Sequence, residues 1–301
     1  MILVCGEALY DVFPDGSEQA GGSPCNVAIG LARLGVPAAL ATAISADQRG
    51  RALSAALELE GVDGRFLRRS AGPTPLARVE LDPAGTPHYC FEGLADAPLH
   101  PEPPLPPDIS CFHTGSYALV SPRSGAALRE IFDQAPSSLL LSLDPNVRLA
   151  MEPSAAAWRA AVSALASRAD LIKMSEEDLA CLAGAETDPE AVAGRWLGGR
   201  CSLMAVTRGS RGATVFTRRH GRIDVAGEPV EMVDSVGAGD AFQAAMLGWL
   251  HRNALCSPTA VRDLEPGQLR RLLESATRAG GLACTRRGPN PPTAAELDFG
   301  L

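Results

Sequence analysis

The chain contains a single lysine, Lys173, among its 27 basic residues, and this scarcity excludes two common ways of handling a nucleoside triphosphate. Lys173 is followed by Met and has no glycine-rich loop before it, so a Walker A motif is excluded. No Val-Ala-Ile-Lys strand of the protein-kinase type is present either. The residues that follow the first predicted strand, Gly6 to Leu9, do not form G-x-G-x-x-G, which argues against a dinucleotide-binding oxidoreductase.

Long apolar runs, excess positive charge and paired cysteines are also missing. No apolar run reaches membrane-spanning length, and the N-terminus lacks the basic segment of a secretion signal. The formal charge of -8 argues against a nucleic-acid partner, because such proteins need basic residues to neutralise phosphates. No C-x-x-C pair occurs, which favours reduced and buried thiols over disulfides or zinc. Apolar segments hold Cys5, Cys90, Cys111 and Cys201. We therefore expect a cytoplasmic protein with neither a membrane nor a nucleic-acid partner.

Length and composition allow either one large α/β domain or two modest ones, since the chain has 301 residues and 46% apolar content. Strand-like and helix-like segments alternate on both sides of the Pro-rich run 98–107, which we interpret as a surface loop. The pattern predicts one α/β domain over residues 1–301. The N-terminal residues 1–6 are predicted to form a buried first strand.

The segment 234–240, Asp-Ser-Val-Gly-Ala-Gly-Asp, runs directly into an apolar helical pattern. Small residues at Gly237, Ala238 and Gly239 let the backbone approach a phosphate, and the start of the next helix offers unpaired N–H groups. Asp240 stands where its carboxylate can accept a proton from a nucleophile. Capping alone also explains an Asp in a first helical turn. The complete segment, however, resembles the second signature of the ribokinase-like (PfkB) family of sugar and nucleoside kinases.

A second constellation, Gly-Gly-Ser-Pro-Cys-Asn at 21–26, precedes another helical pattern. Ser23 as the N-cap and Pro24 as the first helical residue account for the helix start. The paired glycines and the Asn resemble the first signature of the same family. Asp11 follows the first strand, and a carboxylate suits hydroxyl groups because it only accepts hydrogen bonds. The resemblance implies sugar binding by Gly21, Gly22, Asn26 and Asp11, together with Asp240.

Residues 76–81 alternate between apolar and polar, residues 82–85 supply a turn, and residues 88–91 resume a strand, which predicts a β-hairpin. The resemblance implies a ribokinase-like fold, with a mainly parallel central sheet, helices on both faces and a small β-sheet lid over the sugar. The lid would comprise residues 11–20 and 74–97, approximately, and would exclude water from the reaction. In the family the exposed face of this lid often pairs with a second subunit, which implies a homodimer.

Two further motifs follow predicted strands. Asp-Pro-Asn-Val-Arg at 144–148 reads as a turn, yet it resembles the corresponding segment of fructokinases and 2-keto-3-deoxygluconate kinases. That resemblance implies that Arg148 contacts the terminal phosphate or an acidic sugar. Ser175 and the acids after it are explained by helix capping. The resemblance nevertheless implies that Asp178 orients a magnesium-bound water, with Glu177 as a competitor for this role.

The remaining resemblance concerns the nucleotide and a cation. Residues 205–217 read as a strand, a glycine-punctuated turn and a returning strand, and residues 283–292 are similar to a late loop of the family. The implied nucleotide contacts are Ser175, Thr207, Gly209, Gly212, Gly237, Gly239 and Asn290. The implied ligands of a monovalent cation such as K⁺ are Asp234, Val236, Ala283, Arg286 and Gly288.

The resemblance as a whole implies transfer of the γ-phosphoryl group of Mg-ATP to a sugar, with Asp240 as the general base. D-Fructose and its 6-hydroxyl are the expected acceptor. The alternatives are a 2-keto-3-deoxygluconate kinase, another sugar or nucleoside kinase of the family, and a non-catalytic sugar-binding regulatory relative. Glu92 stands close to where some fructokinases carry Arg, which disfavours an acidic sugar. The intact segment 234–240 disfavours the non-catalytic alternative.

Overall fold

Two β-sheets organise the chain, one of nine strands and one of four within the described residues. The computed structural model describes residues 1–81, 87–94, 101, 104–184 and 188–298. The strands are β1 (Ile2–Cys5), β2 (Leu9–Val12), β3 (Glu18–Gly21), β4 (Ala38–Ser45), β5 (Leu67–Ser70), β6 (Leu76–Leu81), β7 (Pro87–Glu92), β8 (Cys111–Gly115), β9 (Leu140–Asp144), β10 (Leu171–Ser175), β11 (Leu203–Thr207), β12 (Ala213–Thr217) and β13 (Gly221–Val225). The α-helices are α1 (Ser23–Arg33), α2 (Gln48–Leu59), α3 (Ser124–Gln134), α4 (Ala155–Ala166), α5 (Glu176–Ala183), α6 (Pro189–Trp196), α7 (Ala238–Arg252), α8 (Pro258–Arg262) and α9 (Pro266–Cys284).

The large sheet is mainly parallel. Its strand order is β13-β12-β11-β10-β9-β8-β1-β4-β5, and every neighbouring pair from β11 to β5 is parallel. Only β12 and β13, at one edge, run antiparallel. The antiparallel pair β11–β12 is the predicted strand, turn and returning strand around 205–217. The predicted mainly parallel central sheet is therefore confirmed.

Helices cover both faces of this sheet, as predicted. Successive side chains of a strand point to opposite faces, and the fully buried strand β1 sends Ile2 and Val4 into one core and Leu3 and Cys5 into the other. The first core is completed by α1, α2, α7 and α9, and the second by α3, α4, α5 and α6. No helix in the described part of the chain is both long enough and apolar enough to cross a bilayer.

The small sheet has the strand order β3-β2-β6-β7. Strands β6 and β7 pair antiparallel, with Arg78 opposite Cys90, as expected of the predicted hairpin. The predicted turn at 82–85, residues 95–97 of the second predicted lid segment, and residues 98–100, 102 and 103 of the Pro-rich run lie outside the described residues.

All eight cysteines are free thiols. Cys5, Cys111 and Cys201 are buried as expected, but Cys90 is exposed, so the prediction of a buried thiol there was wrong. Cys90 lies on β7, at the edge of the small sheet, and its neighbour Phe91 takes the more buried position. An apolar run on an edge strand does not distinguish the two faces, which explains the error.

The carboxyl ends of the parallel strands meet at one edge of the large sheet. Glu7 follows β1, Ser116 follows β8, and Asn146 follows β9 at this edge. Ser175 and Thr207 end β10 and β11 and are direct neighbours in register. Open α/β sheets bind their ligands in the crevice outside the carboxyl ends of their strands, so the fold gathers the candidate residues where a site is expected.

Candidate active site

The predicted phosphate cradle forms the start of α7. Gly237 is the N-cap residue with a φ of 77°, a left-handed conformation that favours glycine. A Cβ at this position would lie 2.8 Å from Cα of Pro289, so the close approach of the two backbones also requires glycine. Ala238, Gly239 and Asp240 form the first turn, where N–H groups have no acceptor inside the helix. The turn is thus suited to an anion.

Asp240 is buried, and its carboxylate is held by two donors from the first turn of α1. The Ser23 hydroxyl donates to Oδ1 at 2.7 Å, and the Asn26 side-chain amide donates to Oδ2 at 2.8 Å. Each oxygen keeps a second lone pair. The carboxylate therefore has a fixed orientation and can still accept a proton.

Ser23 does not cap α1, so the predicted N-cap was wrong. Gly22 occupies the N-cap position with a φ of 95°, and no side chain caps the helix. Pro24 is therefore the second helical residue and not the first, although it still lies in the first turn. The Ser23 hydroxyl is instead used by Asp240, 217 residues later in the chain, a contact that local sequence patterns do not show.

Both glycines before α1 are required by close contacts. A Cβ on Gly21 would lie 2.1 Å from Oδ2 of Asp11, and a Cβ on Gly22 would lie 2.7 Å from the main-chain oxygen of Glu7. Larger residues would displace the Asp11 carboxylate and the loop after β1. The glycines thus bring this loop and β2 against the start of α1.

A cleft of about 320 Å³ brings many of the predicted residues together. The predicted residues that line it are Asp11, Gly22, Asn26, Arg148, Val236, Gly237, Gly239 and Asp240, and the lining also includes Glu7, Leu9, Ser23, Phe91, Ser116, Asn146, Met151 and Ser235. Three carboxyl groups, those of Glu7, Asp11 and Asp240, thus share one cleft. Leu9, Asp11 and Phe91 come from the small sheet, which therefore forms one wall.

Two of these carboxyl groups have strongly perturbed acidities. Burial, with a smaller contribution from the negative charge of Asp240, raises the pKa of Glu7 to about 7. Burial likewise raises the pKa of Asp11 to about 7, again with a contribution from Asp240. Glu7 was not among the predicted site residues, because its burial in the cleft depends on the packing of its loop against Gly22, which the sequence does not show.

Glu92 does not line the cleft, so its expected influence on the charge of the sugar was wrong. Its carboxylate accepts a hydrogen bond of 2.8 Å from Nε of Arg78, and both side chains are exposed to solvent. Phe91 faces the cleft instead, because adjacent residues of a strand point to opposite faces. Glu7, Asp11 and Asp240, which do line the cleft, are the acids that disfavour an acidic sugar.

A buried ion pair lies under the cradle. Nζ of Lys173 donates to Oδ2 of Asp144 at 2.8 Å, and the two side chains are only 4% and 1% exposed. A Cβ on Gly239 would lie 3.0 Å from this Nζ, so the ammonium group sits directly beside the cradle. Burial alone would lower the pKa of Lys173, but Asp144 outweighs it and the pKa is raised. Lys173 therefore stays charged.

Asp178 has a structural role in the capping box of α5. Its Oδ2 accepts from the main-chain amide and the hydroxyl of Ser175, at 2.9 and 2.8 Å, and its Oδ1 accepts from the amide of Val147 at 2.7 Å. A carboxylate has about four lone-pair positions, so one remains for a water molecule. Oδ1 of Asp144 is buried and has no hydrogen-bond partner among the described residues. The oxygen donors fit Mg²⁺, which prefers carboxylates and water, and the role of Asp178 stays a prediction.

Asp234 joins the two segments predicted to hold a monovalent cation. Its Oδ1 accepts from the amide of Val236 at 3.0 Å, and its Oδ2 accepts from the amide of Gly288 at 2.8 Å. The Ala283 carbonyl accepts from the amide of Arg286 at 3.2 Å. The described residues contain no group of three His, Cys, Asp or Glu side chains suited to a metal ion. A cation here would depend on main-chain carbonyls beside the single Asp234 carboxylate, which fits a weakly held monovalent ion.

The predicted nucleotide residues outside the cradle do not line the cleft. Gly209 has a φ of 57° and open space beside it, whereas a Cβ on Gly212 would lie 2.2 Å from the main-chain oxygen of Val225. Gly212 is thus required by the packing of β13 against the turn. Oδ1 of Asn290 accepts from Nη1 of Arg33 at 2.5 Å.

Comparison with known proteins identifies the family. A family model described as pfkB family carbohydrate kinase matches residues 10–296. The chain belongs to this family. The kinase is 33% identical, over 282 residues, to a fructokinase of Rhizobium leguminosarum bv. trifolii, and the alignment covers 90% of this chain and 86% of that protein. The predicted family is therefore confirmed, and the chain is a phosphotransferase that acts on carbohydrate.

Solved structures of fructokinases have the same fold as this chain. A fructokinase from Xylella fastidiosa with bound ATP is 27% identical and superposes with a TM-score of 0.85, covering 98% of this chain and 96% of that one. A double mutant of the fructokinase from Vibrio cholerae O395, in a form with bound fructose, ADP and potassium ion, is 28% identical with a TM-score of 0.84. This match covers 99% of the kinase chain and 97% of the other chain. The predicted ribokinase-like fold is confirmed.

Proposed function

We propose that this kinase transfers the γ-phosphoryl group of ATP to the 6-hydroxyl of D-fructose, with Asp240 as the general base. The observation that carries the proposal is the position of Asp240, which is fixed by Ser23 and Asn26 between the sugar cleft and the amides of the glycine-rich turn. The Asp240 carboxylate takes the proton of the hydroxyl as its oxygen attacks the phosphorus atom. The amides of residues 236–239 offset negative charge on the transferring group.

D-Fructose is favoured over an acidic sugar by the charges of the cleft. Glu7, Asp11 and Asp240 would repel the carboxylate of 2-keto-3-deoxygluconate, and Arg148 is the single cationic side chain that the described residues place in the lining. The relatives that are 30–33% identical to the kinase are named fructokinases. Another sugar or nucleoside of the family remains the second candidate, supported by a 25% identical aminoimidazole riboside kinase with a TM-score of 0.84.

ATP is proposed to lie along the carboxyl ends of β10 and β11, with its phosphates at the cradle. Ser175 and Thr207 are neighbours there, and the charge of Lys173 lies beneath Gly239. Mg²⁺ would be held by the phosphates with help from Asp144 and Asp178, where it offsets phosphate charge. A monovalent cation would lie beside Asp234, as the potassium-bound fructokinase suggests. Use of ATP and eight free thiols support a cytoplasmic setting.

We further propose that the small sheet acts as a lid within a single kinase domain of residues 1–301. Its residues Leu9, Asp11 and Phe91 form a wall of the cleft, and a closed wall would keep water from competing with the sugar. Pairing of two lids in a homodimer stays a prediction, which molecular-mass measurement by light scattering tests.

The proposed activity is tested by coupled assays of ATP consumption. The substrates are D-fructose, D-ribose, 2-keto-3-deoxygluconate and a set of nucleosides, and ³¹P NMR identifies the phosphorylated carbon. We expect the highest kcat/KM for D-fructose and a product phosphorylated at C6. If another compound is phosphorylated and D-fructose is not, the assignment of D-fructose as the substrate is wrong. Sugar binding without any ATP turnover would support a regulatory relative instead.

A further inference from the structure

Glu7 is the one side chain of the cleft lining whose buried carboxyl oxygens both lack a hydrogen-bond partner among the described residues. The residue is 2% exposed and lies in the loop between β1 and β2. Its main chain packs against Gly22, which fixes the loop at the cleft. A buried polar group without a partner costs a few kcal/mol, so such a group is retained in an enzyme where a ligand supplies the missing partner.

Two groups among the described residues lie close to the Glu7 carboxyl group, the hydroxyl of Ser116 and the main-chain amide of Glu7 itself. Both moderate the rise in the pKa of Glu7, but neither reaches the geometry of a hydrogen bond. Arg148 moderates the pKa only through its charge at a distance. Asp240, the remaining charged neighbour, is an acceptor and repels a second carboxylate.

The backbone around this position is strained on the side of the cleft. Ser116 has a φ of 55° and Asn146 a φ of 40°, and both residues line the cleft. Non-glycine residues in this conformation are uncommon and concentrate at ligand sites, where the surrounding structure holds them in place. The strain indicates that this wall is shaped for a ligand.

We propose that Glu7 is a specificity-determining residue of the sugar site, whose carboxyl group accepts a hydrogen bond from a sugar hydroxyl other than the one that faces Asp240. The inference rests on the proposed function and extends it, because it names a contact on a second position of the sugar. Hydroxyl groups satisfy the buried oxygens, whereas a carboxylate or an apolar substituent at that position leaves them unpaired. The site thereby selects a neutral, polyhydroxylated substrate.

The acidity of Glu7 agrees with this role. Its pKa of about 7 means that the empty site holds a proton part of the time at neutral pH. Hydrogen bonds donated to the charged form favour that form, so sugar binding expels the proton into the buffer. Asp11 has a similar pKa and contributes in the same way.

The test combines two variants with D-fructose and four sugars that each lack one of its hydroxyl groups. The variants are Glu7→Gln and Glu7→Ala, and Glu130→Gln on the exposed face of α3 is the control. The sugars are D-fructose, its 1-deoxy, 3-deoxy and 4-deoxy forms, and 2,5-anhydro-D-mannitol. Thermal melts confirm that each variant folds. Calorimetry in buffers of different ionisation enthalpy counts the protons released on fructose binding.

We expect Glu7→Gln and Glu7→Ala to raise KM for D-fructose about 10- to 100-fold, the range for a lost hydrogen bond to a charged group, with kcat changed much less. With the wild type, one of the deoxy sugars should have a much higher KM than D-fructose. In Glu7→Ala the KM values of these two sugars should become similar. Proton release should fall in Glu7→Gln and stay unchanged in Glu130→Gln. An active wild type with an unchanged KM and an unchanged sugar pattern in both Glu7 variants would overturn the inference alone. A wild type without turnover of any of these sugars would contradict the proposed function, and the inference with it.

Discussion

The side-chain amide of Asn26 donates a hydrogen bond of 2.8 Å to Oδ2 of Asp240, across 214 positions of sequence. The Ser23 hydroxyl holds the other oxygen at 2.7 Å. The first turn of α1 thus orients the proposed base at the first turn of α7. The same Asn26 lines the sugar cleft, so it can orient Asp240, contact the sugar, or do both.

Replacement of Asn26 by Ala separates these roles. We expect Asn26→Ala to lower kcat by about 10-fold or more, the value of one hydrogen bond to a charged group, because the Asp240 carboxylate loses its orientation. KM for the sugar should change less. Steady-state kinetics measure both, and Asn253→Ala, an exposed change at the end of α7, is the control. A large rise in KM with an unchanged kcat would assign Asn26 to the sugar alone.

Lys173→Met removes the positive charge beneath Gly239 and leaves the buried Asp144 without its partner. We expect a loss of about 3 to 5 kcal/mol in the free energy of unfolding, the usual effect of breaking a buried pair. The double variant Lys173→Met, Asp144→Asn should regain most of this stability, because no buried charge remains unpaired. Its kcat should stay low, since the cradle lacks the ammonium group. Urea unfolding and kinetics measure both, and a double variant with wild-type kcat would show that the charge has no part in phosphoryl transfer.

The buried Glu7 makes the ligand-free protein less stable as the pH rises. Its pKa is raised from an ordinary value of 4.5 to about 7, so the folded state binds more protons than the unfolded state between these values. The contribution of protonated Glu7 to the free energy of unfolding is fully present below pH 4.5 and is lost as the pH rises through 7. Each pKa unit corresponds to about 1.4 kcal/mol.

Glu7→Gln removes this dependence. We therefore expect the stability of Glu7→Gln relative to the wild type to increase between pH 4.5 and 7.5, as measured by urea unfolding at several pH values. The charged neighbours of position 7, Asp240 and Arg148, are present in both proteins, so the difference between the two unfolding curves isolates the titration of Glu7. A difference that does not vary with pH would show that Glu7 is charged in the folded protein throughout this range.

Arg287 connects the late loop to the proposed lid. Its guanidinium donates to Asp15 at 2.7 Å and lies 5.0 Å from the ring centroid of Phe13, in the turn between β2 and β3. Exposed contacts of this kind contribute little to stability, because solvent screens them. We expect Arg287→Ala to raise KM for fructose about two- to fivefold and to increase ATP hydrolysis without sugar. Arg262→Ala, in an exposed pair with Asp263, is the control. If KM for fructose and the rate of ATP hydrolysis without sugar are both unchanged in Arg287→Ala, this contact has no part in lid closure.

The sequence was sufficient to predict those parts of the site that are formed by contiguous residues. The segment 234–240 predicted a glycine-rich turn at the start of a helix with an acid in its first turn, and residues 21–26 predicted the start of α1. Both follow from local rules, because glycine conformation and helix termini depend on near neighbours. The alternation of strands and helices likewise predicted an α/β fold, and the family resemblance implied its mainly parallel sheet.

The sequence was insufficient where side chains meet across the fold. Ser23 was assigned to its own helix, although its hydroxyl bonds Asp240 from 217 positions away. The Lys173–Asp144 pair, and the lack of a partner for the Glu7 carboxyl group among the described residues, become visible only when β10, β9, β8 and β1 lie in this order in the sheet. Glu92 was expected to act on the sugar, although it does not line the cleft. Sequence does not show which face of a strand is the inner one, because the register of the strand sets it.

Replacement of Asp240 by Asn tests the proposed proton transfer most directly. Asn has nearly the same shape but cannot take the proton of the sugar hydroxyl. We predict that Asp240→Asn folds, binds D-fructose with a Kd within a few-fold of the wild type by calorimetry, and loses about 10² to 10⁴ in kcat. Asp263→Asn, an exposed acid far from the cleft, should retain wild-type kcat. An Asp240→Asn enzyme with unchanged kcat would contradict the assignment of Asp240 as the general base.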